Sequence, residues 1–470
     1  MGDDFSWMEG KNIEQLIEKF EGMLENGEQL FFDVDEYEAI IDYYYDTHDM
    51  KMSEKAVDHA LQVYPSSPSF SIRKARVMAY RKKYYEALEL LNYVEMLEPA
   101  NEEVYINKAE IYSLMNKFEL AIKEYKKALP YTESQEDIYA NIAFEYENLN
   151  DYPKAIEHLK KALQINPHSE NLINEISFFF EITGREEEAV GFFSEFLDEN
   201  PYSKTAWFNL GIFYNTLELY EKAIEAYEFV TAIDETFASA YFNIANSYSG
   251  LKHYDKSIRY YKETFNYEEE EAITHYYIGE SYENMNDIHQ AMVHFNRALE
   301  LDDKLAEAWA GIGRMFIKQG NDQTAVKYYE RAIELMPLNN DFKYELAVLS
   351  LKRGWLEKAE ALFEEIVESD AKYVEAWVNY SYSISLSSGY EKAIEIIEKA
   401  LAKNKNDATL WYRLAAYLYK SGKVRQAYYY IENALKLNFS KHQELLDFMP
   451  ELMEESRFVE LLGIYKGSEN

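Results

Sequence analysis

The sequence predicts an all-α chain built as an α-solenoid. Three observations carry this. Small residues recur at two fixed phases of a 34-residue period. Large residues recur at two other phases of the same period. Within each period the apolar residues fall three and four apart in two runs separated by a short break, the pattern of helix, tight turn, helix.

The stretch from Lys204 to Phe237 shows one such unit. Trp207, Leu210, Gly211 and Tyr214 mark the first run and Ala223 and Tyr227 the second, with the break near Leu217–Tyr220. Taking Ala223 as a marker in the middle of the second helix, steps of 34 give Ala87, Ala121, Ala155, Ala189, Ala223, Ser257, Ala291, Ala325, Ala359, Ala393 and Ala427. Twelve residues before each marker stands another small residue: Ala75, Ala109, Ala143, Ser177, Gly211, Ala245, Gly279, Gly313, Ala347, Ser381 and Ala415. Nine before, the residue is large in most units (Tyr112, Tyr146, Phe180, Tyr214, Tyr248, Tyr282, Phe316). Four after, it is large again (Tyr125, Phe193, Tyr227, Tyr261, Phe295, Tyr329, Phe363). Small set against large is how facing surfaces interdigitate. Trp207, Trp309, Trp377 and Trp411 share one register, sixteen before a marker.

The period and the order Trp, Leu-Gly, Tyr, Ala, Tyr/Phe resemble the tetratricopeptide repeat (TPR) family. The resemblance covers residues 68–441 in strict register, eleven units from 68–101 to 408–441. It implies a right-handed superhelix of about twelve helix-turn-helix units with capping helices at both ends. Residues 1–36 are expected to form the N-terminal cap, with a helix over Lys11–Asn26 ended by Gly27. Residues 37–67 read as a degenerate first unit around Ala56, one shortened step of 31 before Ala87. Pro65-Ser66-Ser67-Pro68 is a firm turn and a candidate hinge. Phe196, Val230 and Thr264 stand where other units place Ala, which predicts altered helix spacing across 170–271. Residues 442–470, with Leu445, Phe448, Leu452 and Phe458 among them, read as one or two terminal helices. These cap the stack, or fold back into the groove, or pair with a second copy.

Composition narrows the function. The chain carries 48 Lys plus Arg against 85 Asp plus Glu, a net charge of −37. That argues against a nucleic-acid partner, which needs a basic stripe, and favours a basic protein partner. The run Glu268–Glu271 reads as a solvated loop or as a contact for Lys or Arg on a partner. With no Cys there is no disulfide or thiolate metal site. The start, MGDDFSWMEGK, has no apolar leader, and no run approaches a membrane span. The expectation is a cytoplasmic protein without membrane insertion. Met1-Gly2 through Ser6 fits the N-myristoylation pattern, but its acidic neighbours supply no polybasic second anchor.

No catalytic constellation, cofactor motif or metal site is read. His289 and His294 lie five apart, and His275 takes the place Trp holds elsewhere, so packing explains it. In the TPR family the first helix of each unit lines the concave side, which supplies candidate partner-binding residues. Fourteen before the markers are Asn107, Asn141, Asn209, Asn243 and Asn379. Fifteen before are Phe208, Phe242, Tyr276, Tyr344 and Tyr412, and eleven before are Phe144, Phe178 and Asn246. The amides form a ladder for the backbone of an extended peptide, or bond the neighbouring helix. Glu175, Tyr277, Gly311 and Glu345 interrupt the row, with Arg73 and Arg413 at its ends. No Lys or Arg stands fifteen or eighteen before a marker, so the carboxylate clamp of chaperone-tail-binding TPR domains is absent. The sequence reads as a non-catalytic interaction scaffold or adaptor. The alternative is a structural or self-associating subunit that uses its ends or convex face.

Overall fold

A computed structural model describes residues 10–27 and 29–466. Among these residues there are α-helices, two short 3-10 turns and no strand. The myristoylation pattern lies outside the described residues. The chain folds as two halves, Met1–Glu235 and Thr236–Asn470.

In the N-terminal half α1 spans Gly10–Asn26, α2 Val34–Asp46, α3 Met50–Val63, α4 Pro68–Tyr80 and α5 Tyr84–Leu97. Next come α6 Glu102–Leu114, α7 Phe118–Ala128, α8 Gln135–Asn148 and α9 Tyr152–Ile165. The half closes with α10 Glu170–Ile182, α11 Glu186–Glu199, α12 Lys204–Thr216 and α13 Tyr220–Ile233. The C-terminal half begins with α14 Ala238–Gly250, α15 Tyr254–Thr264, α16 Ala272–Asn284, α17 Ile288–Leu301 and α18 Ala306–Lys318. It continues through α19 Asp322–Leu335, α20 Asn340–Lys352, α21 Leu356–Ser369, α22 Val374–Ser387 and α23 Tyr390–Lys403. It ends with α24 Ala408–Lys420, α25 Val424–Leu437, α26 His442–Phe448 and α27 Ser456–Lys466. Within each half every helix pair packs on the next.

The 34-residue period reappears in the helix starts. Second helices begin at Tyr84, Phe118, Tyr152, Glu186 and Tyr220, all in step. The markers stand one turn into those helices rather than at their middle. All eleven are fully buried, at 0% exposure. The first unit corrects the sequence reading. Its helices start at Val34 and Met50, each 34 residues before Pro68 and Tyr84, so the pair spans 34–67 in unbroken register. The marker place falls on Ser53, which is fully buried and donates its hydroxyl to the Ile41 carbonyl at 3.2 Å. Ala56, one turn along the same face, is buried too, which is why it draws the eye.

Helix starts have local causes. Ser67, Ser169 and Ser203 each accept a hydrogen bond from the backbone N–H three residues on, the usual N-cap role. Pro68 follows its cap at the first helical position, so the Pro65–Pro68 stretch is an ordinary junction between packed helices. The turn inside each pair needs one left-handed residue. His48, Lys82, Asn116, Asn150, Gly184 and Glu218 hold that place in the N-terminal half, with φ between 56° and 61°.

Close approach of paired helices depends on the small residues. A Cβ on Gly211 would lie 2.5 Å from the Tyr227 ring, and one on Gly279 would lie 2.7 Å from the Phe295 ring. The tryptophans tie each unit to the loop before it. Nε1 of Trp207, Trp309 and Trp411 donates to the carbonyl of Pro201, Asp303 and Lys405, each at 2.9 Å. The altered spacing expected across 170–271 is confined to the first of those units. There α10 and α11 approach less closely than the neighbouring pairs, with Phe180, Phe192, Phe193 and Phe196 between and beside them. Val230 and Thr264 are buried without such spreading.

Both ends are covered. Leu16, Ile17, Phe20 and Met23 of α1 bury against α2 and α3. The C-terminal segment keeps the period in distorted form. Leu445 stands 34 after Trp411 and is buried, and Met449 stands 34 after Ala415. A methionine there, followed by Pro450, stops α26 after seven residues. Phe448 then packs edge-on to Tyr382 at 5.9 Å and beneath the Arg413 guanidinium at 4.3 Å. The terminal segment therefore caps the stack and also covers the last first-helix face.

Candidate functional site

The candidate residues lie on the first helix of each pair, and Phe208, Phe242, Tyr276 and Tyr344 each meet a ring of the paired second helix. In the N-terminal half the amides divide by environment. Asn107 is buried and donates Nδ2 to the Glu103 carbonyl at 2.7 Å. Asn209 is buried and donates Nδ2 to the Thr205 carbonyl at 2.9 Å and to Asn174 Oδ1 at 3.0 Å. These two bond their own helix, and Asn209 also bonds the preceding first helix. Asn141 is half-buried and makes no side-chain hydrogen bond among the described residues. Phe144, one turn further along α8, and Phe178, one period later on α10, are each 51% exposed. Phe208 is half-buried, tilted on Tyr227 at 5.6 Å.

The first helices α6, α8 and α10 also carry perturbed carboxylates. Glu110 and Glu175 are both held above the usual carboxylate range by burial, and Glu147 adds repulsion at Glu175. Glu145 is almost fully buried, its Oε2 has no partner, and burial raises its pKa as well. At the N-terminal edge Arg73 makes a short ion pair with Asp42 at 2.7 Å.

In the C-terminal half Phe242 meets Tyr261 edge-on at 5.3 Å and Tyr277 at 5.7 Å. Tyr261 and Tyr277 stack at 5.8 Å. Asn246 accepts from the Tyr261 hydroxyl and donates to Asn243 Oδ1 at 3.4 Å. Phe242, Asn243 and Tyr277 line a cavity of about 430 Å³ between α14, α16 and the acidic loop that joins α15 to α16. Further on, the Tyr276 hydroxyl donates to Glu280 at 3.2 Å. Arg314 grips both oxygens of Glu283 at 3.0 and 3.1 Å and lies 3.7 Å from Glu345. Burial opposes the Arg314 charge, but Glu283 and Glu345 outweigh it and raise its pKa. Asn379 donates to the Tyr344 hydroxyl at 2.8 Å. Tyr412 departs from the expectation. It is 1% exposed, and its hydroxyl donates to the Asn438 carbonyl at 3.0 Å under the terminal segment. It is a core residue and presents no surface to a partner.

One pair escaped the sequence reading. His275 and His294 are 19 residues apart, on antiparallel helices, yet their Nδ1 atoms lie 3.0 Å apart in the core. His275 Nε2 lies 3.3 Å from Glu270. Desolvation lowers both pKa values, that of His294 to about 4. Among the described residues no group of three or more His, Cys, Asp or Glu could hold a metal ion. None of the described helices is long and apolar enough to cross a membrane.

Family models described as tetratricopeptide repeat match residues 102–131, 136–169, 205–237, 238–269, 279–337 and 316–378. The chain is a TPR protein. Its fold is accordingly an α-solenoid of TPR units. Among solved structures, the C-terminal part of a TPR repeat-containing protein from Cytophaga hutchinsonii is 18% identical, with 51% of this chain and 99% of that chain covered and a TM-score of 0.40. YrrB, described as a TPR protein with an unusual peptide-binding site, is 20% identical over 39% of this chain and 95% of its own, with a TM-score of 0.31. MamA is 19% identical over 35% and 97%, with a TM-score of 0.31. No curated protein matches the chain. TPR units serve as protein-interaction scaffolds, and the chain is one at that level.

Proposed function

We propose that this TPR protein is a non-catalytic scaffold that holds an extended segment of a partner protein against the exposed face of its first helices. The supporting observation is the pair Phe144 and Phe178. They sit one period apart on α8 and α10, half-exposed, and Phe144 stands one turn along α8 from Asn141, whose amide keeps its hydrogen-bonding capacity unspent among the described residues. Exposed aromatic rings and a free amide offer apolar area together with backbone recognition, and aromatic residues dominate interface energetics.

The test is Phe144→Ala/Phe178→Ala in the full chain, tagged and recovered from its native host. Truncating two central aromatics is expected to cost about 2 kcal/mol or more, which is roughly a thirtyfold or greater loss of affinity. The co-purifying partner should be lost from this variant and kept by Tyr85→Ala/Met96→Ala, which alters exposed residues of the second helix α5. The opposite pattern would move the interface to the second-helix side. A partner kept by both variants would place binding at the ends of the chain.

A further inference from the structure

The cavity between α14 and α16 has an apolar floor and an acidic rim. Phe242, Ile273 and Tyr277 form much of the floor, while Glu268, Glu269 and Glu271 stand at the rim. The acidic run is divided. Glu270 is used within the chain, bound by Arg297 at 2.9 Å and 3.3 Å from His275. The other three carboxylates form no ion pair among the described residues. At about 430 Å³ the cavity lies within the range of roughly 300–1,000 Å³ typical of ligand pockets.

We infer that this cavity receives a lysine or arginine side chain from the bound partner segment, an inference that rests on the scaffold reading above. The aliphatic stem covers Phe242 and Ile273. The cationic head meets the Tyr277 ring and is neutralised by the three carboxylates. An acidic side chain would be repelled from this rim. A purely apolar one would strip water from three carboxylates and return nothing. No group of three or more potential ligands could hold a divalent metal among the described residues. A cationic side chain satisfies both floor and rim.

The probe is a labelled, end-blocked nonapeptide with one central arginine flanked by leucine, glycine and serine, titrated into the full chain by fluorescence anisotropy. A second peptide carries citrulline, the neutral isostere, in place of arginine. The arginine peptide should bind about tenfold or more tightly than the citrulline peptide. Glu268→Gln/Glu269→Gln/Glu271→Gln should erase that preference. Phe242→Ala should weaken the arginine peptide while leaving the helical circular dichroism unchanged. Glu187→Gln/Glu195→Gln/Glu199→Gln removes the same charge from α11 and should keep the preference, which separates a local site from general attraction to an acidic chain. Three results would overturn the inference: equal binding of the two peptides, no binding of either up to about 1 mM, or equal losses in the local and distant glutamine variants. Any of these together with partner loss in Phe144→Ala/Phe178→Ala leaves the scaffold standing and removes this cavity from it.

Discussion

Replacing Gly279 with alanine sets two effects against each other. Alanine in a helix interior is favoured over glycine by about 1 kcal/mol. Against that, the new Cβ would lie 2.7 Å from two carbons of the Phe295 ring, whereas relaxed carbon contacts lie at about 3.5–4.0 Å. The ring would have to move by close to 1 Å. It cannot retreat freely, because on its far side a Cβ on Gly311 of the next first helix would already lie 2.8 Å from it. Phe295 is fully buried between two glycines of successive first helices. Overpacking of this kind costs about 1–3 kcal/mol, so Gly279→Ala should destabilise by a net of up to roughly 2 kcal/mol. The assay is urea unfolding followed by circular dichroism, with hydrogen exchange across α16–α18 as a local readout, since repeat arrays can open in part. Shrinking the ring relieves the clash, so Gly279→Ala should cost much less in a Phe295→Leu background, a coupling of about 1 kcal/mol or more. Gly191 in α11 is the control. Nothing lies within 4 Å of a Cβ built there, so Gly191→Ala should stabilise by up to about 1 kcal/mol. If Gly279→Ala also stabilises, helix propensity governs both sites and the close-approach reasoning fails.

Two further outcomes follow from the geometry. Glu218 holds the left-handed turn position at φ 58°, where Gly184 stands one unit earlier. Glu218→Gly should raise the denaturation midpoint by the equivalent of about 0.5–1 kcal/mol, and an unchanged or lower midpoint would show that the position carries no strain. The His275–His294 pair makes stability fall with acid. The folded pKa of His294 is about 4 against an ordinary 6.5, so the unfolded chain binds more protons between those values. The contribution is complete above about pH 6.5 and is lost as pH falls towards about 4. His294→Gln should flatten the pH dependence of the urea midpoint across that window, and an undiminished slope would place the titration elsewhere.

Much of the fold was legible because a 34-residue period repeats its own evidence. The markers Ala87 through Ala427 are named by spacing alone, and all are buried. What escaped was decided by contacts between distant residues. Ser53 is the true marker of the first unit, yet Ala56 lies on the same face one turn away and is the more conspicuous core residue. The place of Asn209 was legible, but its bond to Asn174 depends on how near the preceding first helix lies. Tyr412 sits in the same register as Tyr344, but the segment after α25 covers it. The acidic run 268–271 gave no sign in sequence that Arg297 takes Glu270 while its neighbours border a cavity. Nothing in the period foretold that His294 would face His275.

The most direct test of the central claim is site-specific photo-crosslinking of the full chain in its native host. A benzophenone amino acid placed at Phe144 should crosslink to one partner protein, and mass spectrometry should map the link to a contiguous segment of that partner. The same group placed at Tyr85, on a second helix, should capture nothing specific. A specific partner captured from Tyr85 and none from Phe144 would contradict the account.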